Sequence, residues 1–363
     1  MLRAGIVGLP NVGKSTLFNA LCENAKAEAA NFPFCTIEPN VGRVAVPDER
    51  LEILSQISHS AQVIPSQIEF VDIAGLVAGA SRGEGLGNQF LAHIRQVDAI
   101  VHVVRCFEDA DIVHVAGSVD PVRDMQVISL ELALADLAQI EKRLERVRKQ
   151  AKSDKQGQIE LTAMEQIQAA LDAGTSARQV QLEPEQELAI QPMGFLTRKK
   201  VIYAANVTES DLASGNAWVD QVRAVAEGEA AKVVIVSAQV EAELVDLPPA
   251  DRQDYLNSLG VQEGGLKSLI RATYDLLGLR TYFTSGPKET RAWTIPVGAT
   301  APQSAGVIHS DFERGFIRAE TVAYQDLVAA GSLNAAKEKG LLRSEGKDYI
   351  VQEGDVMHFR FNV

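Results

Sequence analysis

Eight residues near the start of the chain, GLPNVGKS at positions 8–15, constrain its fold more than any other stretch. They fit the pattern G-x-x-x-x-G-K-[ST], a loop that joins a strand to a helix and wraps an anion in main-chain N–H groups. The flanks agree. Residues 4–7 (AGIV) read as the end of a short apolar strand, and residues 16–22 (TLFNALC) as the opening of an amphipathic helix. A helix N-terminus behind such a loop adds partial positive charge. Gly8 and Gly13 allow backbone geometry that a Cβ resists. Asn11, Val12, Gly13, Lys14, Ser15 and Thr16 are therefore expected to hold the phosphates of a nucleoside triphosphate. Lys14 would bridge the β- and γ-phosphates and serve the chemistry directly, and Ser15 would ligate Mg²⁺.

The chain is 363 residues long, enough for two or three domains. No run approaches the roughly 20 apolar residues of a membrane span, and no basic segment leads into a cleavage site, so no membrane association is expected. The three cysteines, Cys22, Cys35 and Cys106, match no zinc spacing and cannot all pair with one another, which suits a reducing, cytoplasmic setting. Cys22 and Cys106 read as small buried residues, and Cys35 as a loop thiol open to oxidation. The net charge of −13 argues against indiscriminate nucleic-acid binding by the whole surface. It leaves room for a local basic patch.

Apolar runs at 4–7, 68–73 (IEFVDI), 99–104 (AIVHVV), 200–205 (KVIYAA) and 232–236 (KVVIV) predict parallel strands covered on both faces, hence a doubly wound α/β sheet. Between them the pattern changes. Leu130, Leu134, Leu137, Leu144 and Val147, then Leu161, Met164, Ile167 and Leu171, recur at helical spacing on either side of a break at 153–157. Two long helices folded into an antiparallel coiled-coil hairpin are expected. The first arm ends in a basic cluster, Lys142, Arg143, Arg146, Arg148, Lys149, Lys152 and Lys155. It reads either as a solvated face or as a contact for RNA or another acidic partner; Arg198, Lys199 and Lys200 are further candidates for such contact. From about residue 281 short strands and frequent turns mark a small mixed α/β domain. The expected division is a nucleotide-binding domain at 1–122 and 196–277, a helical insertion at 123–195 and a C-terminal domain at 278–363.

Four further signals refine the site. Asp72 and Gly75 form a D-x-x-G at the end of an apolar strand, where the acid would reach Mg²⁺ and the Gly75 N–H the γ-phosphate. Thr36, within residues 31–42 (NFPFCTIEPNVG), stands where a GTPase-like fold carries a switch that coordinates Mg²⁺. Residues 206–209 read N-V-T-E where guanine-specific proteins carry N-K-x-D. Val207 cannot supply the lysine stem, and Glu209 is a methylene too long, so guanine selectivity should be weak; Asn206 still suits a purine edge. Ser237, after the strand at 232–236, falls in the last base-contact loop. Leu76 occupies the position from which many GTPases orient water with a glutamine, so hydrolysis should be slow. The glycine-rich tract 75–87 is a candidate switch, with Arg82 a candidate cation in it. His114, in 111–117 (DIVHVAG), is the candidate replacement for the glutamine, against the plainer reading of a satisfied structural histidine. Asn11 raises a K⁺ ion as a further option, in the place an arginine finger would take.

Taken together, GLPNVGKS, NFPFCTIEPN, FVDIAGLVAGASRGEGLGNQF, NVTE and RAWTIPVGATAPQ with IHSDFERGFIRAE resemble the Obg-like ATPase (YchF) subfamily of translation-factor-related P-loop proteins, over essentially the whole chain. The resemblance implies a Ras-like domain with a coiled-coil insertion and a C-terminal TGS domain of β-grasp fold. It also implies ATP preferred over GTP, slow hydrolysis, and association with the ribosome, and with RNA, through the coiled coil and the TGS domain by a monomer. It assigns Mg²⁺ to Ser15 and Thr36, adenine contact to Asn206 and the backbone of Val207, and catalytic assistance to His114. A GTP-specific enzyme and a ribosome-binding scaffold with structural nucleotide are the alternatives.

Overall fold

A computed structural model describes residues 2–29, 40–73 and 86–362. The chain divides into two compact units.

The first unit is built mainly from residues 1–27 and 69–273. Its sheet uses β1 (Arg3–Val7), β2 (Val41–Ala45), β4 (Gln67–Asp72), β5 (Ala99–Arg105), β6 (Lys200–Asn206) and β7 (Lys232–Val236) in the order β2-β4-β1-β5-β6-β7. The β4-β1-β5-β6-β7 neighbours pair parallel. Every residue of β5 is buried, as an apolar run covered on both faces requires. The register sets Ile6 opposite Asp72, Val7 opposite His102 and Arg105 opposite Asn206. The carboxyl ends of four strands thus share one edge, where open α/β sheets carry their ligands. The accompanying helices are α1 (Lys14–Ala29), α3 (Leu86–Arg95), α4 (Pro121–Gln150), α5 (Lys155–Asp172), α6 (Pro184–Ile190), α7 (Ala217–Gly228), α8 (Ala238–Asp246), α9 (Pro249–Ser258) and α10 (Gly265–Leu276).

Helix α4 starts on a built cap: the Asp120 side chain accepts from Arg123 N and Pro121 takes the first helical position. Its 30 residues reach about 45 Å at 1.5 Å each. The half near its start packs on β5 and α7, burying Met125, Ile128 and Leu132. The buried hairpin seam comes from the far half, with Ile140, Leu144 and Val147 against Ala163, Met164, Ile167 and Leu171. Leu130 and Leu134 do not join it; they are 58% and 39% exposed. The expected seam began at Leu130, but the first half of the helix follows the sheet, which selects a different face. The Asp154 carboxylate caps α5 by accepting from Gln156 N and Gly157 N. A Cβ on Gly157 would meet Ala151 N at 2.9 Å, so the hairpin turn needs glycine. Buried Asp136 on α4 accepts from Leu196 N (2.9 Å), Thr197 N (2.8 Å) and Thr197 Oγ1 (2.6 Å), stapling the helix to the segment that enters β6. Burial raises its carboxyl pKa against the pull of those bonds.

The second unit is built mainly from residues 43–68 and 274–363. Strands β3 (Val63–Ile64), β8 (Leu279–Ser285), β9 (Thr290–Pro296), β10 (Phe316–Ala323), β11 (Arg343–Glu345) and β12 (Asp355–Phe361) run in the order β11-β10-β12-β8-β9-β3. The hairpin β8–β9 and the antiparallel β10–β12 meet through the parallel pair β12–β8, the β-grasp arrangement. Helices α2 (Arg50–Ser58), α11 (Ala301–Ile308), α12 (Ser310–Arg314), α13 (Tyr324–Ala330) and α14 (Leu333–Glu338) complete it. Neighbours on β8 point to opposite faces: Tyr282 packs with Ala301, Ala305 and Phe359, and Phe283 with Leu51, Leu54 and Leu327. Within residues 43–68, α2 and the edge strand β3 therefore belong here, although sequence placed them in the nucleotide-binding domain.

Candidate functional site

The phosphate loop leaves β1 at Val7 and enters α1 at Lys14. Asn11 and Gly13 sit at φ 62° and 92°. A Cβ on Gly13 would lie 2.2 Å from Asn206 Nδ2, so glycine is required there for both backbone and space. The first turn of α1 holds no acidic side chain, and Ser15 and Thr16 are exposed on it. Its dipole is left open to an anion. Lys14 is buried and its ammonium pairs with the Asp72 carboxylate at the end of β4. Loop lysine, helix hydroxyl and strand-end carboxylate are thus brought to one place.

Among the described residues no group of three or more His, Cys, Asp or Glu could hold a metal. A dedicated metal cage is therefore not the relevant comparison. One carboxylate (Asp72) and one hydroxyl (Ser15) are hard oxygen donors, the sparse set that suits Mg²⁺ shared with phosphate oxygens and water. Thr36 and Gly75, with Cys35, Leu76 and Arg82, lie outside the described residues.

On the purine side, Asn206 ends β6 and is buried. Its Nδ2 donates to Val12 O and its Oδ1 accepts from Ala238 N, both at 2.9 Å. The carboxamide is therefore a strut between the phosphate loop and the loop after β7, with one Nδ2 hydrogen left over among the described residues. Val207 and Ser237 are buried. Val207 N donates to Val236 O at 2.9 Å, and the Ser237 hydroxyl caps α8 by accepting from Val240 N. Val207 thus acts here through its backbone, and the Ser237 hydroxyl is spent on the α8 cap. Glu209 Oε1 lies 3.5 Å from the Tyr255 hydroxyl.

His114 is buried with both ring nitrogens engaged. Nε2 meets Asp124 Oδ2 at 2.8 Å and Nδ1 accepts from Ala116 N at 3.1 Å. An accepting Nδ1 places the proton on Nε2. The loop carrying it is moored to the phosphate loop, since Asn11 Nδ2 donates to Val113 O at 3.1 Å. A second mooring is Arg105, which sequence reasoning missed. It is 1% exposed, donates to Phe107 O (3.1 Å), Ile112 O (2.9 Å) and Asn11 O (3.4 Å), and lies over the Phe107 ring. The available signal was a charged residue closing an otherwise buried apolar strand.

In the hairpin, Arg143 pairs with Glu160 and Arg148 with Glu165. Lys142, Arg146, Lys149, Lys152 and Lys155 have no acidic partner among the described residues. Arg198 and Lys199 do not extend this patch. Arg198 binds Glu187 and the carbonyls of Ala177 and Val180, and Lys199 donates to Val97 O while burial lowers its pKa. Cys106 is likewise committed to the interior, its thiol pushed up to about 12 by burial.

Residues 3–153 match the family model described as 50S ribosome-binding GTPase. Residues 279–362 match the model for the YchF GTPase C-terminal region, described as a protein of unknown function. The chain is 55% identical over 365 residues to the ribosome-binding ATPase YchF of Bacillus subtilis, covering 100% of each. It is 57% identical over 362 residues to its Haemophilus ducreyi counterpart, covering 99% of each. The structure of the Schizosaccharomyces pombe YchF GTPase superposes with a TM-score of 0.90 at 37% identity, covering 99% of this chain and 97% of that one. No helix among the described residues is long and apolar enough to cross a membrane.

Proposed function

The chain belongs to the YchF family, and from that membership we propose that it is a ribosome-associated ATPase with slow turnover of its own. The observation that carries the reading is the pairing of a complete phosphate loop with an altered base site. The polyphosphate would lie along the N–H groups of residues 11–16, with Lys14 moving from Asp72 onto the β- and γ-phosphates. Ser15, Thr36 and Asp72 would hold Mg²⁺, which when bound neutralises phosphate charge. Gly75 would offer its N–H to the γ-phosphate.

The base site favours ATP. Guanine binding draws on an acid that accepts from N1–H and the 2-amino group, and on a lysine stem over the ring; here Val207 and Glu209 stand instead. Asn206 Oδ1 is occupied by Ala238 N, so the remaining Nδ2 hydrogen supports a bond to purine N7 rather than acceptance from the adenine amino group. Hydrolysis is slow because Leu76 cannot orient water and His114, the substitute, has both nitrogens committed. A K⁺ ion would take the Asn11 amide oxygen, since its nitrogen serves Val113. The hairpin lysines, without an acidic partner among the described residues, supply contact for an acidic partner, ribosomal RNA foremost. The C-terminal unit, in the role of a TGS domain, adds a second contact, and the protein acts as a cytoplasmic monomer.

The test is turnover of ATP and of GTP, each with and without ribosomes and K⁺. ATP should be the better substrate and ribosomes should accelerate it. Equal turnover of the two nucleotides, unaffected by ribosomes, would overturn the reading.

A further inference from the structure

We propose that Asp124 is a positioning residue that holds His114 in reserve, and that ATP hydrolysis requires His114 to leave it. The inference rests on the reading that His114 assists the attacking water. A neutral imidazole can orient water only through an unoccupied nitrogen. Here Nδ1 accepts from the Ala116 N–H and the Nε2–H donates to Asp124 Oδ2. The ring as placed is a satisfied buried group and can neither accept from water nor donate to phosphate.

The two partners differ in freedom. Asp124 lies in the first turn of α4, where the helix dipole favours a carboxylate, and Arg123 donates to its Oδ1 from Nε (3.2 Å) and Nη2 (3.0 Å). The helix behind it is stapled at Asp136. The His114 side is a short loop whose Val113 and Val115 are 73% and 54% exposed, so it can turn without uncovering much apolar surface. Its remaining ties are hydrogen bonds rather than apolar packing: Asn11 Nδ2 to Val113 O, Arg105 Nη2 to Ile112 O, and Gly117 N to His114 O. The carboxylate is the fixed half of the latch and the histidine the movable half. When the ring leaves, the Nδ1 lone pair given up by Ala116 N–H becomes the acceptor for a water O–H, and the Nε2 proton stays where it is. No bond is made or broken beyond these hydrogen bonds.

The test compares Asp124→Asn, His114→Ala and the double variant in the full chain. Asparagine keeps the volume and an acceptor for Nε2–H but removes the charge that strengthens the bond. Basal kcat for ATP is expected to rise about five-fold with KM within about two-fold, as a charge-assisted bond is replaced by a neutral one. The rise should vanish when His114→Ala is added. Ala116→Pro, which removes the N–H on Nδ1 and touches no part of α4, should raise kcat in the same way if Asp124→Asn folds poorly. A slowly exchanging imidazole N–H resonance, absent in His114→Ala, should exchange faster in Asp124→Asn. If His114→Ala lowers kcat but Asp124→Asn and Ala116→Pro leave it unchanged or lower it, the latch is wrong and the role of His114 stands. If His114→Ala leaves kcat unchanged, that role fails and the latch fails with it.

Discussion

Replacing Asn206 with alanine should destabilise the protein before any nucleotide is added. The side chain joins two buried backbone groups, Val12 O and Ala238 N, each at 2.9 Å. Alanine leaves both without a partner. A buried group left unpaired costs about 1–3 kcal/mol, so the pair should cost about 3 kcal/mol after local relaxation. For a unit of this size that is roughly 6–12 °C in Tm. Asn206→Asp should fare little better despite its matching shape: one oxygen keeps Ala238 N–H, but the other faces the Val12 carbonyl as a second acceptor. The assay is thermal unfolding of nucleotide-free protein followed by circular dichroism, with ATP titration on the same samples. A residue that served only to touch the base would leave the nucleotide-free Tm within about 2 °C of the parent, and that result would refute the strut.

Arg105→Met removes three hydrogen bonds to loop carbonyls while keeping most of the apolar volume, and should weaken ATP binding about ten-fold by loosening Asn11, read by calorimetry. His102 is held neutral by burial, its pKa pushed down to about 3 from 6.5, so the unfolded chain alone takes up a proton below pH 6.5. Stability should therefore fall on acidification, with His102 accounting for about 2 kcal/mol between pH 7 and 5, and His102→Gln should flatten the urea-midpoint profile by that amount. Lys149→Glu with Lys152→Glu should weaken ribosome pelleting and flatten its salt dependence without altering basal ATP turnover.

Local pattern carried much of this architecture. The strand runs at 4–7, 99–104, 200–205 and 232–236 and the phosphate loop between β1 and α1 were legible because each is a short-range signal, an apolar run or a glycine-bearing turn beside a helix start. The hairpin was legible in kind but not in register. Leu130 and Leu134 continue the heptad spacing, yet α4 follows the sheet along its first half and buries Met125, Ile128 and Leu132 instead. Spacing cannot report which neighbour a helix will meet. The same limit hid β3, whose partner β9 is far along the chain. In the site, Lys14 and Asp72 came together as their motifs implied. The engagement of both His114 nitrogens and the carbonyl cradle of Arg105 depend on how the loop between β5 and α4 folds back on itself, and residue type alone could not announce them.

The most direct measurement is a calorimetric titration of the intact chain with ATP and with GTP in the presence of Mg²⁺, repeated for Lys14→Ala. ATP should bind with clear heat, GTP more weakly, and Lys14→Ala should lose both. Absence of heat with either nucleotide, or GTP bound more tightly than ATP, would contradict a phosphate cradle joined to a purine site that lacks the guanine-selecting acid.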